Sequence, residues 1–371
     1  MNVLMRGWFL MSVVAGLAHA ASVRQERVPE QGVQPQVTAG RDGVIHLVYL
    51  KGPAAACDVR YATRAPGKTS WSPPVTVNDR RASAVAMGTI RGAQVAVSGD
   101  GTVHVVWNGP GGAKSPSALY YTRLEPGKQA FEPQRDLRGS SSGLDGGASV
   151  AAGADGKVFI LWHGRGENAE PGELGRVVFV LQSTDNGRTF APLKAVNADY
   201  AGVCACCSLK GFVAPDGGLF LLYRAARSMG QRDVTLLASR DGGQNFEHRI
   251  VGPWAISACP MSSMTLAAAG GGMRGAWEAE GKIHTAPLDG KAQAIAVSGD
   301  KARHPAMAVN GKGETLICWS TGTGWQRGGG VAWQVLDAKG NPSADKGMAE
   351  GVPVWGATAA YADGDGFVVM Y

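Results

Sequence analysis

After Trp8–Ala18 the chain has no apolar run approaching the roughly 20 residues that a helical membrane span needs. Charge of one sign is equally scarce. The 36 Lys and Arg nearly balance the 30 Asp and Glu, for a formal charge of +6, and no basic stripe breaks the balance. This argues against a nucleic-acid binder, which needs clustered positive charge to displace counterions. No long segment repeats its apolar residues near every 3.6 positions, which argues against a helical bundle or helical solenoid. Cysteine is limited to six residues in 371, without the paired CxxC spacing of a zinc ribbon.

What is present begins with a leader. MNVLMRGWFLMSVVAGLAHAAS carries Arg6, a short apolar run and then Ala18-His19-Ala20, a small-x-small cleavage pattern. Residues 1–20 read as an export signal and 21–371 as a single domain, periplasmic or secreted, where thiols tend to oxidise. The 54 glycines are about twice the usual share, and they recur at spaced turns. That pattern predicts many short strands joined tightly.

Four segments align closely: VTAGRDGVIHLVYL (37–50), VAVSGDGTVHVVWN (95–108), VAAGADGKVFILWH (150–163) and GFVAPDGGLFLLYR (211–224). Three follow more loosely at 265–278, 307–320 and 358–371. Each is an apolar strand, a Gly-containing turn and a second apolar strand ending near an aromatic. Asp-Gly and Gly-Gly supply the positive φ of a two-residue hairpin. A third strand and a weaker fourth lie between hairpins, as in DVRYATR then PPVTVN. Four antiparallel strands recurring at this interval predict an all-β propeller. The hairpin count favours seven blades over six, with SVRQERVPE (22–30) adding an outer strand to the last hairpin and closing a thinner seventh blade.

The turns between third and fourth strands read STDNGRTF (183–190) and SRDGGQNF (239–246), with worn versions at 63–71 and 122–131. This Ser-x-Asp-x-Gly-x-x-Phe pattern resembles the Asp-box, or bacterial neuraminidase, repeat of sialidase-like β-propellers. Further along, GVCACC, LLYRAARSMGQRD and W-x-I-x-x-CPM occur in an order similar to that of a subgroup of secreted bacterial sialidase-like proteins.

Blade topology places the third-to-fourth turns on one face and the connections between blades on the other. ADYAGVCACCSLKG and WAISACPMSSM both fall in such connections, entering the fourth and fifth repeats, and ARHP enters the sixth. Cys204, Cys206, Cys207, Cys259, Met261, Met264 and His304 are therefore expected around one axial mouth, with Cys57 in a loop of the first blade on that face. Three chemistries remain open for the cysteines. They form disulfides, with Cys259 joined to one of the three and Cys57 to another; or they hold a soft ion, copper(I) before zinc, with Met261; or Cys204 and Cys207 form a redox pair.

The sialidase resemblance implies a Tyr nucleophile helped by a Glu, an Asp acid/base and three arginines that clamp a carboxylate. The Arg-Ile-Pro that would supply the first arginine is Val33-Gln34-Pro35 here, and Arg27-Val28-Pro29 is out of register. On this pattern Asp58 is the acid/base candidate, Tyr361 the nucleophile and Glu278 or Glu280 its helper. Arg224, Arg232, Arg274 and Arg303 are clamp candidates, with Asp233 and Trp254 beside them. With one clamp arginine missing, the expectation is a non-hydrolytic binding or assembly propeller that presents its mouth to a glycan, a protein or a metal. The alternative is an exo-sialidase-like hydrolase that uses Asp58.

Overall fold

The computed structural model describes residues 21–111, 117–197, 201–228, 230–290 and 293–371; the expected leader, 1–20, lies outside them. Among the described residues the chain forms seven sheets around one axis, six antiparallel and one mixed, a seven-bladed β-propeller with no α-helix. Strands are lettered A to D outward from the axis. Blade 1 is Val33–Ala39, Ile45–Lys51, Asp58–Arg64 and Val75–Thr76, in that spatial order. Blade 4 is Lys210–Val213, Leu219–Ala226, Val234–Ser239 and Glu247–Gly252. An extra short strand, Gly202–Val203, pairs with Ala225 and Ala226 at the far end of strand B.

All seven hairpins anticipated from the repeat are A–B pairs. Their turn glycines carry the positive φ the motif requires, +76° at Gly43 and +89° at Gly101. The aromatics that close the repeat face the neighbouring blade. Trp107, Trp162, Trp277, Tyr49 and Tyr223 are each under 2% exposed. Trp162, for example, sits with Phe179, Tyr121, Leu119 and Val106 between blades 2 and 3. The core is thus a ring of seams between blades. Each fully buried large side chain contributes about 1.5–3 kcal/mol.

Closure follows the expected route. Val23–Glu26 pairs in parallel with Gly366–Met370, so among the described residues blade 7 has three strands, drawn from the two ends of the described chain. Arg64 of blade 1 clamps Glu26 through both carboxylate oxygens, at 2.8 and 2.9 Å, and lies 4.2 Å over the ring of Trp71. This ion pair ties the closing strand to the next blade.

Candidate functional site

The sulfur site is built on the D–A connection of blade 4, which crosses the face opposite the Ser-x-Asp-x-Gly turns. Its backbone is held by four blades. Thr89 Oγ1 of the connection into blade 2 donates to Cys206 O at 2.6 Å. Gly146 N donates to Ala205 O at 2.8 Å. Cys204 N donates to Arg224 O at 2.9 Å, and Ser208 N to Ser262 O at 3.1 Å. Gly146 is required for the fit, because a Cβ there would lie 2.2 Å from Cys207 O.

His163 is a further anchor. It is fully buried, and its Nδ1 accepts from Arg176 at 3.0 Å, since a guanidinium can only donate. Nε2 therefore carries the proton and donates to Cys207 O at 2.8 Å. Burial first, then the Arg176 charge, push its pKa down to about 3, so the imidazole is neutral.

Cys204, Cys206 and Cys207 are all buried, and their sulfurs lie within 4.8 Å of one another. Cys206 is bridged to Cys259 across the seam between blades 4 and 5. Cys259 is itself exposed, so the bridge reaches solvent on that side. Cys204 Sγ stands 3.7 Å from Cys206 Sγ and 3.6 Å from Cys207 Sγ, with Met261 packed against the group. Cys204 is raised first by the hydrogen bond it donates to Cys207 and then by burial, whereas in Cys207 the opposing effect of burial is outweighed by that bond and by the positive field of Arg224. Cys207 is left at about 7, while its partner is pushed far up.

Arg224, 1% exposed, supplies that field from between blades 4 and 5. It donates to the carbonyls of Arg232 at 3.0 Å and Glu278 at 2.6 Å, and lies 5.0 Å from the centroid of Trp254. Arg232 pairs with Glu173 at 2.5 Å. Asp233 accepts from Arg227 at 2.6 Å, from Gln231 at 2.9 Å and from Trp254 N at 3.0 Å. Arg232 and Asp233 thus belong to separate ion pairs. Glu278 is the penultimate residue of strand B of blade 5, Gly272–Ala279, on this face, with Oε1 accepting from Gly281 N at 2.9 Å. Cys204, Cys206, Cys207, Cys259, Met261, Arg224, Trp254, Arg232, Asp233 and Glu278 therefore form one neighbourhood.

Several expectations separate from it. Cys57 is buried on blade 1 with its thiol donating to Pro53 O at 3.1 Å, not bridged. Met264 and His304 line the axial channel, where His304 Nδ1 meets Ser263 Oγ at 3.2 Å. Asp58 opens strand C of blade 1 on the sulfur face, and its Oδ1 accepts from Asn78 at 2.8 Å and Ala82 N at 2.7 Å. Arg303, half-buried, lies on strand A of blade 6. Tyr361 lies toward the opposite face, its hydroxyl bonded to Arg64 beside the Glu26 clamp. Arg274, three residues into strand B of blade 5, also lies toward that end, against Gly340. The strand pattern identifies these positions as inner-strand residues but not which end of the strand each occupies.

Glu173, Arg176, His163 and Thr89 were not anticipated. Glu173 joins the loop by accepting from Ala205 N at 2.8 Å. Its place in the B–C loop of blade 3, on the same face by topology, is the signal that would have identified it.

No family model matches the chain, and no curated protein sequence matches it. Solved structures do. It is similar to the alpha-L-arabinanase of Penicillium chrysogenum, at 12% identity over 85% of this chain and 95% of that one, with a TM-score of 0.57. It is similar to the alpha-L-arabinofuranosidase of Fusarium graminearum, at 13% over 83% and 94%, with a TM-score of 0.56. It is also similar to the Trypanosoma rangeli sialidase, at 12% over 81% and 54%, with a TM-score of 0.51. At these identities the likeness is one of fold: a sialidase-like propeller.

Proposed function

We propose that the chain is an exported, non-hydrolytic binding propeller whose working site is the sulfur cluster of blades 4 and 5, and that the cluster holds one soft cation, copper(I) in the first instance. The observation that carries this reading is the spacing of three buried sulfurs, 3.6 and 3.7 Å from Cys204. Sulfurs at the corners of a tetrahedron around an ion with bonds of about 2.3 Å stand about 3.8 Å apart, so the loop already sits at ligand spacing. Thiolates with a thioether favour copper(I) over harder ions, and Met261 supplies the thioether. A staple between two loops uses only two of the four sulfurs.

The Cys206–Cys259 bridge is, on this reading, the ion-free oxidised state. Opening it takes two electrons and two protons from a thiol reductant, and exposed Cys259 is the edge at which reductant and ion arrive. Thr89 and His163 fix the carbonyls of Cys206 and Cys207, the outer-shell support that metal sites use. Hydrolysis is the weaker reading, because Arg224 and Arg232 are already engaged, Val33 replaces a clamp arginine and Tyr361 points to the other face.

One observation favours a glycan as a second ligand of this face. Trp325, 63% exposed in the B–C loop of blade 6, stands edge-on to Trp355 with centroids 5.0 Å apart, a platform suited to a sugar face. A similar propeller, the Penicillium arabinanase, is described in complex with arabinobiose.

The test is anaerobic titration of thiol-reduced protein with copper(I) against a chromophoric chelator. One equivalent is expected per chain, lost in Cys207→Ser and Cys204→Ser and kept in Cys57→Ser. No retention by the reduced wild type, or full retention in Cys207→Ser, would overturn the proposal.

A further inference from the structure

The outer strands of this propeller are mostly short. Those of blades 1, 2, 3 and 5 have two residues each, Val75–Thr76, Arg135–Asp136, Lys194–Ala195 and Ile295–Ala296, and that of blade 4 has six. Very short edge strands are one way a sheet avoids pairing with another chain. Blade 6 departs from this pattern. Its outer strand, Pro342–Val352, runs for 11 residues, and among the described residues no strand pairs with its outer edge.

The middle of this strand is regular: Lys346 to Glu350 pair without a break with Gln334 to Gly330 of strand C, between two irregularities of the ladder. Odd-numbered residues face blade 7, where Ala349 packs with Trp333, Phe367 and Val369, and Asp345 accepts from Ala21 N at 3.2 Å. The even-numbered Ala344, Lys346, Met348 and Glu350 are all exposed on the other face, Met348 at 65%. Arg27 donates to the carbonyls of Gly351 and of Glu350, the latter at 3.1 Å, and a carbonyl oxygen can accept a second bond. Among the described residues neither the Lys346 ammonium nor the Glu350 carboxylate has an ion pair or hydrogen bond. They stand about 13 Å apart along the strand, with Met348 between them.

We infer that this edge pairs with the same edge of a second copy of the chain, antiparallel about a two-fold axis at Met348. In that register Lys346 of each copy stands opposite Glu350 of the other, and the two Met348 side chains meet between the charges. Directly opposite residues of an antiparallel pair have Cβ atoms about 4.5–5.5 Å apart, which puts both ion pairs in reach. Of the centres from 346 to 350, only Met348 does this. An axis at Lys346 or Glu350 sets like charges opposite, and one at Gly347 or Ala349 pairs no charges. A lysine that merely guarded the edge would have no such mirror. One strand thus supplies both halves of an isologous contact. The contact uses none of the sulfur residues of blades 4 and 5 and stands apart from the copper proposal.

The experiment is sedimentation velocity on the full mature chain from about 1 to about 200 µM, the range in which a small edge contact dissociates. Wild type is expected to pass from monomer to dimer across it. Lys346→Glu sets carboxylates opposite one another and Glu350→Lys sets ammoniums opposite one another, so each is expected to raise Kd about tenfold or more. The double variant, Lys346→Glu with Glu350→Lys, is expected to restore the wild-type Kd. Both positions are exposed, so thermal midpoints should match wild type throughout. A wild type that stays monomeric at the highest concentration, single reversals that leave Kd unchanged, or a double variant as weak as the singles would overturn the inference.

Discussion

Acid should destabilise this propeller through a histidine far from the sulfur site. His104 on strand B of blade 2 is fully buried. Its Nε2 lies 2.6 Å from Ser98 Oγ and its Nδ1 2.8 Å from Tyr121 Oη, with the two rings stacked. Burial, and secondarily the Arg123 charge, hold its pKa at about 3 against the partial opposition of Asp100. In the unfolded chain the same group titrates near 6.5. Its folded pKa is depressed, so the unfolded state binds the proton first as pH falls. The associated stability is complete above about pH 6.5 and is lost progressively between there and about 3. At 1.36 kcal/mol per pKa unit, about 2 kcal/mol should disappear between pH 7.5 and pH 5. The assay is urea unfolding at those two pH values for wild type and His104→Gln. The variant starts less stable, having lost part of the Ser98–Tyr121 network, but its loss on acidification should be smaller by about 2 kcal/mol. An identical acid loss in both proteins would refute the assignment of a neutral buried imidazole.

Arg64→Ala should cost about 1.5–3 kcal/mol, because it removes the two-point ion pair with Glu26 and the stacking on Trp71 at the closure of the ring, leaving Glu26 only the more exposed Arg24, and the urea midpoint would report it. Asp185→Ala removes the acceptor for Thr189 N at 2.9 Å, Thr189 Oγ1 at 2.6 Å and Ser183 Oγ at 2.7 Å. It should lower stability by about 1–2 kcal/mol while leaving thiol chemistry on the opposite face unchanged. Thiol counting of the native oxidised chain by intact mass should find one bridge, with Cys57 and Cys318 slow to alkylate because both are buried and their thiols raised in pKa.

The hairpin repeat was legible because its period, turn residues and closing aromatics are local, and the addition of an outer strand from residues 22–30 followed from a last hairpin lacking one, whereas its parallel sense did not. Topology alone brought Cys259 to the CACC loop. It could not say that Cys206 would be the bridged member, since that depends on how the loop is folded between Thr89, Gly146 and Ser262. Nor could it find His163, whose role rests on a contact across 44 residues of sequence. The position of Tyr361 along its strand was not legible for a related reason. A residue on an inner strand is visible from alternation, but the end of the channel it serves is fixed by its distance from the turn at Asp363–Gly366 and by Arg64 on another blade.

The central claim is that the sulfurs of the fourth and fifth blades are ligands. X-ray absorption at the copper edge, on thiol-reduced protein loaded with one equivalent of copper(I) and passed over a desalting column, tests it most directly. The account predicts a first shell of three to four sulfurs and no nitrogen or oxygen. A shell of nitrogen and oxygen, or a column eluate without copper, would contradict it.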